Sequence, residues 1–86
     1  MSTDDFDLDV TAEHGIDEHA IDALDRDALV QQIVALPPEL RMAMGAILLE
    51  KRTYSDVSQE LGIRQPELVR AVQRGKALIT RRLNAS

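Results

Sequence analysis

The sequence predicts an all-α protein: a small helix-turn-helix domain of about four helices with a disordered acidic N-terminus. Three observations carry that expectation. Apolar residues recur at three- and four-residue steps from about residue 17 onward, and no segment alternates with the period of a strand. Residues 53–83 hold a short helical pattern, a glycine, and a longer helical pattern, the build of a helix-turn-helix. The first 16 residues combine low hydrophobicity with many aspartates, a composition unable to offset the entropy of folding. The domain is therefore placed at residues 17–86 and a disordered acidic tail at 1–16.

Taken in order, the first helix is expected from Asp17, with Ile21, Leu24, Ala28, Leu29, Ile33 and Leu36 on one stripe. Acidic residues crowd its start, as the helix dipole favours. Pro37-Pro38 ends it, because a residue before proline is pushed out of the α region, and Pro38 then opens the next helix at its first turn. That second helix runs to about Lys51. Its core stripe is Leu40, Met44, Ile47 and Leu48, yet Met42, Ala46 and Leu49 make the other side apolar too. A helix apolar on both sides is either fully buried or offers a second face to a partner, and methionine suits a partner surface by its flexibility.

Thr53, followed three residues later by Asp56, opens the third helix in the manner of a capping box. Val57 and Leu61 should point inward, and Gly62 supplies the left-handed turn that other residues resist. The fourth helix starts at about Gln65 and should bury Leu68, Val72, Gly75, Ile79 and Leu83. Glu67, Arg70, Gln73, Arg74, Ala77 and Arg81 fall on the opposite arc, with Val69 on its flank.

Composition narrows the function classes. The 86 residues make one small domain. There is no cysteine, so no disulfide or thiolate metal site is expected. His14 and His19 are five apart, whereas helical metal ligands sit three or four apart, so no metal or other cofactor is expected. Ser55 and Ser58 have no neighbouring histidine, and no glycine-rich phosphate loop is present. The chain reads as a non-enzyme without a small-molecule substrate. No apolar run has the length of a membrane span, and the expected location is the cytoplasm.

Charge is unevenly divided. Residues 1–36 carry ten Asp/Glu against Arg26 alone, a net −9, whereas residues 37–86 carry nine Lys/Arg against five Asp/Glu, a net +4. The acidic third either competes with phosphate for the basic domain or simply keeps the chain solvated. The helix that should read DNA opens with Pro66 and Glu67, and has Val69 and Ala71 where polar, base-reaching side chains are expected. Arg70, Gln73 and Arg74 keep side chains able to pair with guanine or adenine.

The run Leu36-Pro-Pro-Glu-Leu-Arg41, with Tyr54 and the turn Gln59-Glu-Leu-Gly-Ile63, resembles region 4 of bacterial sigma factors, especially the extracytoplasmic-function group. The similarity extends without gaps from about Asp25 to Leu83. It implies a promoter-binding helix-turn-helix with its second helix in the major groove, but nothing in the chain resembles the region 2 that opens promoters. The departures fall on functional positions: Glu67 replaces a usual hydroxyl residue, Val69 and Ala71 replace usual Lys or Arg, and Met42 and Ile47 replace usual charges. The run Val72-Gln-Arg-Gly-Lys-Ala-Leu-Ile79 is also similar to the helix-turn-helix of QseM-type antiactivators, which control conjugative-element transfer. That resemblance implies binding to a transcriptional activator, including quorum-sensing regulators of the TraR/LuxR kind.

Two functions follow as expectations. The first is an antiactivator whose protein-binding surface comprises Met42, Ala46, Leu49, Val69, Arg70 and Arg74. The alternative is a DNA-binding regulator using Arg70, Gln73, Arg74 and Arg81, a role disfavoured by the acidic third and the weakened reading helix.

Overall fold

The computed structural model describes residues 15–85. They form five α-helices and no strand. Helix α1 spans Glu18–Asp22 and α2 spans Arg26–Val34. Helix α3 spans Pro38–Met44 and runs directly into a π-helical turn, Gly45–Leu49. Helix α4 spans Tyr54–Leu61, and α5, the longest, spans Gln65–Ala85. The acidic residues before Gly15, and His14, lie outside the described residues. Ile16, assigned to the tail from sequence, instead packs against the core.

The single first helix expected from Asp17 to Leu36 is two helices. Aspartate explains both starts. The Asp17 carboxylate accepts from Ala20 N–H at 3.1 Å, and the Asp25 carboxylate accepts from Ala28 N–H at 2.8 Å. Asp25 has extended backbone angles (φ −74°, ψ 174°), as an N-cap requires. Its side chain satisfies an amide that a helix start would otherwise leave orphaned. The apolar stripe survives the break because Ile21 and Ile33 still reach the same core.

The Leu36–Arg41 run is a corner built by its own residues. Leu36 and Leu40 are buried on either side of the two prolines. The Leu40 amide donates to the Pro37 carbonyl at 2.9 Å, and Arg41 Nε donates to the Leu36 carbonyl at 2.9 Å. Arg41 thus satisfies a carbonyl that Pro37 and Pro38, lacking N–H groups, leave open.

The apolar character of both sides of the second helix has a geometric cause. Through the π turn, hydrogen bonds reach back five and six residues, from Glu50 N–H to Gly45 and from Arg52 N–H to Ala46. The wider turn rotates later residues relative to a regular helix. Ala46, Ile47, Leu48 and Leu49 are consequently all half-buried against the core, whereas Met42 stays 67% exposed. The segment stops at Lys51, whose φ of 58° makes it the one non-glycine residue with positive φ among the described residues.

Helix α5 is the spine. Leu68, Val72, Gly75 and Ile79 are buried as the spacing predicts, and Leu83 is half-buried against the same core. Thr80 is buried as well, and its hydroxyl accepts from the Asp17 amide at 3.0 Å. Gly75 faces the fully buried Met44. A Cβ added at Gly75 would fall 2.5 Å from Met44 Sδ, 2.7 Å from Cγ and 2.8 Å from Cε. The backbone of Gly75 is helical, so what the glycine provides is space: a side chain here would force the buried Met44 side chain to move.

Gly75→Ala should destabilise the fold by about 1–3 kcal/mol through overpacking, despite about 1 kcal/mol gained in helix propensity. Urea denaturation of the variant checks this, and a smaller loss is expected in a Met44→Ala background, where the clash is absent. Lys51→Gly should stabilise by up to about 1 kcal/mol by relieving the left-handed backbone, and Lys51→Val should cost about as much. Thermal unfolding of the two variants reads the sign.

Candidate functional site

The helix-turn-helix is fixed by interactions local to it. Thr53 Oγ1 accepts from the Asp56 amide at 3.0 Å, which starts α4 at the expected residue. The Ser58 hydroxyl donates to the Ser55 carbonyl at 3.0 Å, so it is engaged within the helix. Gly62 takes the left-handed conformation (φ 72°, ψ 29°), and the amides of Gly62 and Ile63 both donate to the Ser58 carbonyl. Such a turn closes α4 and redirects the chain into α5.

Two positions that departed from the sigma pattern have structural tasks. Glu67 turns back over the start of α5 and accepts from the Arg64 amide at 3.2 Å. A carboxylate there also suits the helix dipole. Ala71 is half-buried against the core, so it does not belong to the solvent face. A longer side chain at that position would press into the packing rather than reach a groove.

The outward arc of α5 holds Arg70, Arg74 and Arg81, all exposed. None of the three forms an ion pair with another described residue. A different arc of the same helix borders an open cleft of about 460 Å³. Ile16, Tyr54, Val69 and Val72 give its apolar wall, and Gln73, Glu18 and Lys76 give its polar wall. Lys76 Nζ lies 3.1 Å from both Glu18 carboxylate oxygens, which ties α1 to α5. A second ion pair joins Arg52 to Glu60, with Glu50 at 3.7 Å from the same guanidinium. The hydrogen bond that the Arg52 guanidinium donates to the Glu60 carboxylate raises its pKa beyond its already high range, so it stays cationic.

The structure brings Val69 and Gln73 together at the cleft, with Arg70 and Arg74 as their helical neighbours. It separates the α3 residues from them in character. Met42 is exposed but does not line the cleft, and Ala46 and Leu49 are half-buried on the core. Val34, at the end of α2, is the other large apolar residue left mostly exposed among the described residues, at 60%. Ile16, Tyr54 and Glu18 were not singled out as surface-forming from sequence. Their joint position depends on contacts across about 60 residues of chain, which periodicity does not report. His19 is exposed, and no group of three or more metal-ligating side chains gathers among the described residues.

In chemical terms the arrangement is an open, half-apolar depression whose one lining cation, Lys76, is paired with Glu18, and the exposed arginines of α5 lie on the next arc of the same helix. No helix among the described residues is long and apolar enough to cross a membrane. No protein-family model matches the chain, and no curated protein or solved structure matches it either.

Glu67→Ala should lower stability by about 0.5–1 kcal/mol through loss of the cap to Arg64, whereas Glu67→Gln, which keeps an acceptor, should lose less. Chemical denaturation of both variants measures the difference. Equal losses would mean that the charge rather than the hydrogen bond matters.

Proposed function

We propose that the chain is a non-enzymatic transcription regulator that uses its helix-turn-helix to bind and inhibit a transcriptional activator. The observation that carries this reading is the surface of α5: Val69 lines a half-apolar cleft, and Arg70 and Arg74, exposed on the adjoining arc, form no ion pair with another described residue. An apolar centre with a charged rim is the usual anatomy of a protein interface. The similarity of Val72–Ile79 to QseM-type antiactivators supports an activator as the partner, of the quorum-sensing kind that governs conjugative transfer. The acidic third of the chain supports a protein rather than DNA, because it lowers the long-range attraction to phosphate.

Met42 is a second exposed apolar side chain and would extend the surface onto α3. Ala46 and Leu49 contribute through their exposed halves only. Truncating a central anchor costs about 2 kcal/mol or more, whereas rim charges matter less. In co-purification and titration with a TraR/LuxR-type activator, Val69→Glu should weaken binding at least about tenfold. Met42→Glu reads whether α3 belongs to the interface. Unchanged binding in both variants rejects the proposed surface.

The second reading is a DNA-binding regulator, favoured by Arg70, Arg74 and Arg81, which form no ion pair with another described residue, together with Gln73 in the cleft lining. Fluorescence anisotropy on genomic-fragment DNA at low salt separates the two. The proposed function predicts no saturable binding at about tens of micromolar, the range of ordinary non-specific affinity.

A further inference from the structure

We propose that Met42 is a site of reversible oxidation, converted by a peroxide to methionine sulfoxide while the fold keeps Met44, two residues on, as the thioether. The chain holds three methionines and no cysteine. No thiolate competes for an oxidant, so the thioethers are the soft nucleophiles that meet it. Met1 lies outside the described residues. Of the other two, Met42 is 67% exposed on α3, whereas Met44 is fully buried. The Met44 sulfur is the atom nearest to where a side chain on Gly75 would stand, so it occupies the space that the glycine leaves. An oxidant reaches it there only when the core opens.

In the reaction the Met42 sulfur attacks a peroxide oxygen. The O–O bond breaks, one oxygen stays on sulfur and the other leaves as water, so sulfur loses the two electrons that the peroxide gains. The reverse step draws on an external dithiol, since the chain has no thiol of its own. The sulfoxide oxygen then leaves as water and the dithiol becomes a disulfide. The two positions differ in what the added oxygen costs. At Met42 the S=O group stays hydrated. At Met44 it would stand in the apolar core between α3 and α5, as an unsatisfied polar group and as extra volume. Oxidation at Met42 therefore leaves the fold intact and turns an apolar surface side chain into a polar one. Since Met42 extends the proposed surface onto α3, its sulfoxide regulates binding there; that consequence alone rests on the proposed function.

The site is tested without a partner, so its failure and the failure of that reading are distinguishable. The full chain is treated with hydrogen peroxide and digested with trypsin. Residues 42–51 form one peptide, whose fragment ions assign the added oxygen to Met42 or to Met44. Met42 should oxidise at least about tenfold faster than Met44 in the folded chain, and the two rates should converge in concentrated urea. The chain oxidised at Met42 should keep the urea midpoint of the untreated chain, and a methionine sulfoxide reductase with a dithiol should restore its mass. In Met42→Leu, Met44 should stay as slow as before, because burial and not competition protects it. Equal rates in the folded chain, a fast Met44 in Met42→Leu, or a lowered midpoint once Met42 carries the oxygen overturns the proposal.

Discussion

The fold depends on how closely α3 approaches α5 where Met44 meets Gly75. The missing side chain at residue 75 is the space that the methionine fills. Around that contact stand Leu68, Val72, Ile79 and Val57, the other large side chains that are fully buried. Burying such a side chain contributes about 1.5–3 kcal/mol. A typical domain is stable by only about 5–15 kcal/mol in all. With so few large residues fully enclosed, one contact carries a sizeable share. The same contact sets how α3, its π turn and the Leu36–Arg41 corner lie against the spine.

Because α5 serves as spine on one side and as exposed surface on the other, its sequence answers two demands at once. Glu67 and Ala71 look like abandoned DNA contacts when the helix is read alone. In the fold, one caps the helix start and the other packs inward. The case for a protein partner is thereby narrowed to Val69, the cleft it lines, the exposed arginines on the adjoining arc and the acidic third of the chain. The residues that carry the two family resemblances are mainly structural: Leu36, Leu40, Val72, Gly75 and Ile79 are core, and Arg41 and Lys76 make tertiary or corner bonds. They speak to architecture before they speak to function.

What could be read from the sequence was whatever a local rule dictates. Thr53, Gly62 and the prolines mark boundaries through chemistry confined to a turn, and α4 begins and ends where they place it. The inward residues of α5 follow from a regular period that nothing interrupts. The break at Asp25 escaped because the apolar stripe runs on across it, and periodicity outweighed a single capping carboxylate. The π turn escaped because a wheel drawn at constant pitch assigns Ala46 and Leu49 to the wrong side. The cleft was not legible at all, since Ile16, Tyr54 and Val69 meet only through tertiary packing.

The anchoring of α1 has a consequence for the shape of the cleft. Its bonds to α5, from Asp17 to Thr80 and from Glu18 to Lys76, join residues 63 and 58 positions apart. Closing so long a loop carries an entropic cost that short-range contacts avoid. The α4–turn–α5 unit, by contrast, is assembled from neighbours in sequence. Ile21 of α1 is nevertheless buried in the common core, so the helix is held by packing as well as by those two bonds. Ile16 and Glu18, one bank of the cleft, are thus positioned by contacts with residues near the other end of the described chain, while the helix-turn-helix is set by its own neighbours.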